Sequence, residues 1–321
     1  MAERKTTIYY NHNFYYDFSQ IIAADDRGLQ FGDGCYEWIR VYKGHPFALS
    51  YHTDRLYRSM RLLGIRPVTA PDEFTEIVET VVEESGVEEG YVKIIVTRGQ
   101  GDHDFLIPAR NQLRPNVLVY AKPISLDAIA KVQDGVKCIT MKDDRGHHCD
   151  ILSLSQVDNL LARQEALKQG CYDGIFIRDG LLTEATHSNV LIVKAGVIWT
   201  TGTNEFMTRG ITRSLVLSRV APTAGVTSID DATDPVRLED MMNAEEVFLT
   251  NSQDGIIPVL SIKGLLCHIA VNLNLWKHIS LPFNTPLPLF QIRGSPRTVE
   301  IVNGDKPVLD IRACSHFRGR A

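Results

Sequence analysis

The sequence predicts a soluble protein of mixed α and β structure (α/β in the α+β sense), and three observations support this class. Short apolar and β-branched runs recur between turn residues, and amphipathic helical segments separate several of them. No internal repeat is visible, and the strands and helices do not follow a regular strand–helix–strand rhythm. The 321 residues are enough for one large domain or two modest ones.

The first part of the chain predicts a hairpin, two helices and two strands. Residues 35–49 hold two apolar runs around a Lys-Gly turn pair, which is typical of a β-hairpin. Ser50 suits the N-cap of an amphipathic helix that ends at Gly64, and Pro71 suits the first turn of the next helix. The two apolar strands are predicted over residues 91–99 and 114–122.

The second part predicts a larger sheet. Asp179-Gly180 and Ala195-Gly196 are turn pairs between apolar runs, so we expect two hairpins there. A helix is predicted to open at Gly210. The other elements of this part are a strand over 135–142, a helix over 156–170, a strand over 173–180 and a strand–loop–strand unit over 245–260.

The composition shifts along the chain and suggests its domain boundaries. We predict a smaller N-terminal α/β domain over residues 1–122, a linker over 123–130 and a larger domain over 131–262. From Lys263 onward there are eight Lys or Arg against three Asp or Glu, and five of the 14 prolines. Residues 263–321 are therefore interpreted as a separate basic, proline-rich tail.

The totals argue against several classes of function. A net charge of −5 and a pI near 6.1 do not suggest a general binder of nucleic acids or membranes. The start of the chain lacks the apolar core of a signal peptide, and no run reaches the ~18 apolar residues of a membrane span. The six cysteines are scattered without a CxxC pair, so we expect free thiols and a cytoplasmic location.

Two segments carry the most information about function. Residues 145–164 read RGHHCDILSLSQVDNLLARQ, and residues 182–190 read LTEATHSNV. Together with FGDGCYEWIR over 31–40 and TNSQDGIIPV over 250–259, they resemble the class IV, or fold-type IV, aminotransferases that depend on pyridoxal phosphate (PLP). That family includes branched-chain and D-amino-acid aminotransferases and aminodeoxychorismate lyase. The resemblance covers about residues 7–262 and implies the two-domain fold of the D-amino-acid enzymes.

The resemblance also implies a cofactor, a substrate and a quaternary structure. It predicts PLP as cofactor, an amino acid and a 2-oxo acid as substrates (branched-chain or related), and a homodimer. Alone, each predicted site residue has a commoner role, such as a strand glutamate, a solvated helix arginine or an ordinary helix start. The resemblance assigns the cofactor to Arg55, Glu184, Asn189, Gly210, Ile211, Thr212, Ser252 and Gln253, and the substrate to Tyr36, Arg98 and His103.

Each role follows from what PLP requires of a protein. A carboxylate such as Glu184 next to the pyridine nitrogen raises the pKa of that nitrogen. A guanidinium such as Arg55 and the free N–H groups of a helix start suit a phosphate dianion. The D-amino-acid enzymes carry an Arg-x-His trap for the substrate carboxylate after their TRG turn. Here His103 is present without that pattern, which argues against D-amino-acid specificity and does not by itself establish a branched-chain preference.

Leu152 is the departure from the family pattern. It occupies the position where the family has the lysine that forms a Schiff base with the cofactor. Lys142 and Lys168 both start more than about 20 Å away along the chain. We therefore expect a severely impaired transaminase. The alternatives are a catalytically inactive homologue that binds PLP or a metabolite, a regulatory dimer partner, and a lyase, which would need the same lysine.

The run from His147 to Asp150 contains residue types that bind metals. Adjacent residues of an extended chain point to alternate faces and cannot all reach one ion. The sequence therefore predicts no metal site.

Overall fold

The computed structural model describes residues 7–16, 22–101, 105–107, 112–231, 234–263, 290–293, 300–303 and 306–310. The chain divides into two compact units. The first comprises Met1–Ala130, Arg145–Ala162 and Asn204–Thr208, and the second comprises Lys131–Asp144, Arg163–Thr203 and Arg209–Ala321. The predicted mixed α and β class is confirmed. The domain boundaries at 122, 131 and 262 stay predictions.

The first unit is built on an antiparallel sheet of six strands in the order β2-β1-β6-β5-β3-β4. The apolar residues on one face of this sheet pack with α2 and α3 into one core. The elements are β1 (Ile8–Tyr10), β2 (Asn13–Tyr15), α1 (Arg27–Phe31), β3 (Gly34–Tyr42), β4 (His45–Pro46), α2 (Leu49–Leu62), α3 (Pro71–Ser85), β5 (Gly90–Thr97) and β6 (Asn116–Pro123). The helix α4 (Leu126–Gln133) follows.

Local sequence signals predicted most of the elements of this unit correctly. The predicted hairpin is formed by β3 and β4, and α3 begins at Pro71 as predicted. The prediction that Ser50 caps α2 is wrong. The chain turns through a left-handed conformation at Ala48, which has φ 53°, and α2 therefore begins at Leu49 without a side-chain cap.

The second unit contains an eight-stranded sheet in the order β12-β11-β10-β13-β14-β7-β8-β9. The strand β7 runs parallel to both neighbours, β11 and β12 are also parallel, and the other pairs are antiparallel. The strands are β7 (Val136–Lys142), β8 (Asp173–Arg178), β9 (Leu181–Ala185), β10 (Asn189–Lys194), β11 (Val197–Thr201), β12 (Ser228–Asp231), β13 (Glu246–Asn251) and β14 (Gly255–Lys263).

The helices of this part are α5 (Val157–Lys168), α6 (Ile211–Leu215), α7 (Ala221–Thr223) and α8 (Leu238–Met242). A π-helical turn over Val216–Val220 joins α6 to α7, so the helical run from Ile211 to Thr223 is continuous. The predicted turns at Asp179-Gly180 and Ala195-Gly196 are present, with positive φ at all four residues.

Within the tail, three short antiparallel strands are described: β15 (Phe290–Arg293), β16 (Glu300–Asn303) and β17 (Lys306–Asp310). The other tail residues after Lys263 lie outside the described part of the chain. Among the described residues, no helix combines the length and apolar character that crossing a membrane would require.

Candidate active site

Glu184 lies at a β-bulge in the second unit. Ile175 pairs with Ala185 and Ile177 pairs with Leu182, so two residues of β9 oppose one residue of β8. In a regular strand Glu184 would share the face of Leu182, which is fully buried in an apolar cluster. The extra residue lets Leu182 and Ala185 both face that cluster while the buried Glu184 carboxylate is directed elsewhere.

Thr183, which precedes Glu184 in the bulge, holds the bulge in place through its side chain. The hydroxyl of Thr183 donates to Oδ2 of the buried Asp143 at 2.8 Å, and the Arg178 guanidinium lies 3.2 Å from the other oxygen of the same carboxylate. Bulges of this kind commonly re-aim one side chain of a strand. The conformation of β9 therefore sets the direction of Glu184, as a cofactor carboxylate would require.

The start of α6 meets two strand ends in the second unit. Asn189 begins β10, and the Thr212 hydroxyl donates to the carbonyl of Asn251 at the end of β13, at 3.0 Å. Gly210 is the N-cap and makes no side-chain capping bond. A methyl group at Gly210 would overlap with the side-chain oxygen of Asn189, so glycine allows this close approach. The N–H groups at Ile211 and Thr212 therefore begin the helix without a side-chain acceptor from the N-cap.

The turn between β13 and β14 is shaped by Asn251. Its side-chain oxygen accepts from the N–H groups of Gln253 and Asp254, at 2.9 and 2.7 Å. Its amide donates to the Ser188 hydroxyl at 3.1 Å. The Ser252 hydroxyl makes no hydrogen bond within the described part of the chain. This turn therefore presents Ser252 next to the residue that also accepts the Thr212 bond.

A network that the sequence analysis missed supports these turns. Asp173 is fully buried and lies 3.0 Å from the His187 ring and 3.5 Å from the Arg163 guanidinium. The Tyr172 hydroxyl donates to the carboxylate of Asp254 at 2.7 Å. Burial alone would raise the pKa of Asp173, but the neighbouring cation, His187 and a hydroxyl hydrogen bond together lower it. No local motif could have indicated this network, because its members come from α5, from the start of β8 and the residue before it, and from the turns that follow β9 and β13.

In the first unit, Arg55 pairs with a buried carboxylate. Its Nε and one terminal nitrogen donate to the two oxygens of Glu37, at 2.7 and 2.8 Å, and the ring of His52 contacts the same carboxylate at 2.7 Å. Glu37 is fully buried and Arg55 is 11% exposed. Glu37 therefore holds the guanidinium in one orientation through a bidentate contact. The predicted phosphate role of Arg55 concerns the remaining face of the guanidinium.

Leu152 lies opposite Tyr36 along the edge of β3. Ser153 forms an antiparallel bridge with Cys35, the N–H of Tyr36 donates to the carbonyl of Leu152 at 2.9 Å, and Leu154 donates to Gly34 at 3.0 Å. Directly opposed residues of an antiparallel pair project to the same face. The side chains of Leu152 and Tyr36 therefore share a face.

Arg98 and His103 are the remaining predicted substrate residues. Arg98 is buried, and its guanidinium donates to Asp33 at 2.7 Å and to the carbonyl of Leu63 at 2.8 Å. This geometry favours a structural role for Arg98, which holds the loop after α2 against the start of β3. His103 lies outside the described residues. The described residues contain no group of three or more potential metal ligands, and the run from His147 to Asp150 is not such a group.

The residues of the second unit fit the groups of PLP. An uncapped helix start and the Ser252 hydroxyl supply donors of the kind that bind phosphate. The Thr250 hydroxyl, opposite Asn189 in the sheet, is buried without a hydrogen-bond partner among the described residues. The Glu184 carboxylate has the chemistry that a protonated pyridine nitrogen requires.

Comparisons with known proteins agree with this arrangement. A model of the class IV amino-transferase family matches residues 34–262. D-alanine aminotransferases of Bacillus licheniformis and Staphylococcus aureus (strain MSSA476) are 37% and 30% identical, over 76% and 80% of this chain and 83% and 89% of theirs.

Two solved structures share the fold. The branched-chain amino acid aminotransferase of Escherichia coli has a TM-score of 0.78 at 22% identity, with 87% of this chain and 93% of that chain covered. A hypothetical aminotransferase from Mycobacterium tuberculosis in its PLP-bound form has a TM-score of 0.75 at 21% identity, with 86% and 96% covered. PLP is the cofactor of class IV aminotransferases. On the family match and the identity to its relatives, this chain belongs to the class IV aminotransferase family.

Proposed function

We propose that this chain binds PLP and carries out transamination between an amino acid and a 2-oxo acid at a severely reduced rate. The observation that carries the proposal is the meeting of Asn189, the helix start at Gly210 and the turn at Ser252 within one unit. The helix-start N–H groups and the Ser252 hydroxyl supply hydrogen-bond donors of the kind that bind a phosphate.

The residues of this chain would divide the work of holding the cofactor. In the second unit, the N–H groups of Ile211 and Thr212 and the turn at Ser252 and Gln253 would hold the phosphate. For Arg55, in the first unit, we propose the phosphate contact that the family resemblance implies. Glu184 would keep a proton on the pyridine nitrogen, and Asn189 would support the same ring. When bound, PLP supplies an electron sink for the substrate's α-carbon.

Leu152 would remove the proton carrier from this arrangement. A hydrocarbon side chain neither holds nor transfers a proton, and the loss of a positioned general base typically costs about 10²–10⁴ in rate. Tyr36 shares the face of Leu152 and would contact the substrate from there. We expect residual activity at most at that reduced level.

The proposal extends to the substrate, the quaternary structure and the location of the chain. The relatives in Bacillus licheniformis and Staphylococcus aureus are D-alanine aminotransferases, and one structural relative is a branched-chain enzyme, so both D-alanine and L-leucine are suitable test donors. We propose a homodimer and a cytoplasmic location, as expected of this family.

A second candidate function is that of a catalytically inactive homologue, which binds PLP or a metabolite or regulates an active dimer partner. The replacement of a reactive amine by the hydrocarbon of Leu152 favours it, because such a change removes chemistry and leaves the proposed phosphate contacts intact.

One experiment tests the proposal and separates the two candidates. The purified chain is titrated with PLP while its absorbance spectrum is recorded, and excess D-alanine or L-leucine is then added. Saturable binding followed by slow conversion to the amine form of the cofactor supports the impaired transaminase. Saturable binding without conversion supports the inactive homologue. The absence of saturable binding refutes the impaired transaminase and the form of the second candidate that binds PLP.

A further inference from the structure

Lys93 is an amine that the sequence analysis did not consider. It lies on β5 directly opposite Trp38 of β3, and Tyr36 is two residues from Trp38 on the same face. The Nζ of Lys93 lies 3.5 Å from the centroid of the Tyr36 ring and 5.2 Å from that of Trp38. The Lys93 side chain is therefore directed along the sheet towards Tyr36.

The same face carries Leu152. Because Leu152 opposes Tyr36 across the edge of β3, its side chain lies beside the ring that Lys93 covers. An amine on Lys93 and a side chain at position 152 are thus both neighbours of Tyr36. Lys93, Tyr36, Trp38 and Leu152 all belong to the first unit.

We propose that Lys93 replaces the missing lysine as the amine that reacts with the aldehyde of PLP. The inference rests on the proposed function, because the resemblance to the family directs the cofactor's aldehyde to position 152. The neutral amine of Lys93 would attack the aldehyde carbon and form a carbon–nitrogen double bond. The aldehyde oxygen would leave as water with the two amine hydrogens, so the step needs no oxidant or reductant.

The surroundings of Lys93 favour this reaction. The rings of Tyr36 and Trp38 half-bury its amine, and no carboxylate forms an ion pair with it in the described part of the chain. Burial lowers the pKa of Lys93 to about 8, although the charge of Glu37 opposes the shift. Near pH 7.5 such an amine is neutral about two hundredfold more often than an ordinary lysine of pKa 10.5.

The indole of Trp38 gives a second sign that this face receives a ligand. Its N–H is buried without a hydrogen-bond partner among the described residues. A buried donor of this kind is costly unless a ligand or water accepts from it.

The test is chemical trapping in the full-length chain. The protein is mixed with one equivalent of PLP near pH 7.5, reduced with borohydride, digested and analysed by mass spectrometry. We expect the pyridoxyl group on Lys93 at near-stoichiometric yield. The substitution Lys93→Arg, which keeps the charge, should reduce the label to the background set by ordinary surface lysines. The matched control is Lys122→Arg, an exposed lysine on β6 with its Nζ 5.5 Å from the Tyr120 ring, and it should leave the label unchanged.

A competing amine gives an independent check. In Leu152→Lys the label should move to position 152 and leave Lys93, because one aldehyde reacts with one amine. Chains that carry a pyridoxyl group on both lysines, found when that variant is labelled with excess PLP, would contradict a shared aldehyde and overturn the inference.

The outcomes separate this inference from the proposed function. If PLP binds saturably to the unmodified chain but the label lies on another lysine or is absent, the role of Lys93 is refuted while the proposed function stands. If PLP does not bind saturably, both are refuted. The mapping of the unmodified chain does not depend on the folding of any variant.

Discussion

The buried carboxylate of Glu37 offers the sharpest test of the first unit. The substitution Glu37→Gln keeps the shape of the side chain and removes its charge. In the wild type, the Glu37 carboxylate accepts two hydrogen bonds from Arg55 and one from the ring of His52. Glu37 has no exposed side-chain surface and the side chain of Arg55 is 11% exposed. The substitution therefore leaves a nearly buried guanidinium without its counter-ion.

The expected size of the effect follows from this geometry. Removing one partner of a buried ion pair typically costs 3–5 kcal/mol, because the other charge stays uncompensated. The slight exposure of Arg55 lets water reach part of its guanidinium, so we expect a loss of about 3 kcal/mol in the free energy of unfolding near pH 7. The control is Glu165→Gln, because Glu165 lies 3.9 Å from Lys168 with both side chains more than half exposed. That variant should change the free energy of unfolding by less than about 0.5 kcal/mol.

The pKa shifts of Glu37 and His52 determine how the free energy of unfolding changes with pH. Burial alone would raise the pKa of Glu37, but the charge and hydrogen bonds of Arg55, with the bond from His52, lower it below the ordinary 4.5. A lowered carboxyl pKa contributes stability above the unfolded value, and that stability is lost as pH falls through the folded value. Burial also lowers the pKa of His52 below 6.5. As the pH falls through 6.5, the unfolded chain therefore takes up a proton on this ring before the folded chain does, and the free energy of unfolding decreases.

Urea unfolding of both variants and the wild type, followed by tryptophan fluorescence, checks these statements. The difference between the wild type and Glu37→Gln should be largest near pH 7 and should narrow below pH 4.5, where the unfolded wild-type chain takes up a proton on Glu37 before the folded chain does. A difference under about 1 kcal/mol near pH 7 would refute the reasoning, because it would mean that Arg55 is already well solvated in the native state.

Three further predictions concern single positions. Leu152→Lys should raise the rate of conversion of PLP with excess amino acid by about 10²-fold or more, measured by stopped-flow absorbance; no increase would contradict the assignment of position 152. Gly210→Ala should weaken PLP binding in the same titration, because the new methyl group overlaps with the Asn189 side chain; unchanged affinity would remove Gly210 from the proposed site. Burial, with the charge of Glu37, raises the pKa of Cys35 to about 12, so this thiol should resist alkylation by iodoacetamide near pH 8 in the native chain and react after unfolding.

The sequence predicted those elements whose signals are local. The hairpin turns at Asp179-Gly180 and Ala195-Gly196 depend on two residues that tolerate positive φ, and both are present. The helix predicted from Gly210 is also present, but its middle winds as a π-helical turn over Val216–Val220. Pro222 lies in the next turn and cannot donate a backbone hydrogen bond, so the altered winding relieves a conflict that helix propensity does not express.

The site could be predicted only where the family pattern supplied it. The bulge that directs Glu184 depends on how many residues β8 and β9 contribute, and no property of either strand alone fixes that number. The strand pattern of β5 does place Lys93 on the face of Tyr91 and Ile95. Its approach to Tyr36 depends on the register with β3, which is set by contacts far apart in the sequence.

The fold accommodates a leucine at position 152. Leu152 is held through its backbone carbonyl, which accepts from Tyr36, so either leucine or lysine would keep that bond. Its side chain lies on a face with Tyr36, Trp38 and Ile95, where hydrocarbon packs favourably. Likeness of fold therefore cannot distinguish an active member of this family from an inactive one. Cofactor binding and turnover have to be measured separately, because phosphate contacts can hold PLP in a chain that lacks the family's lysine.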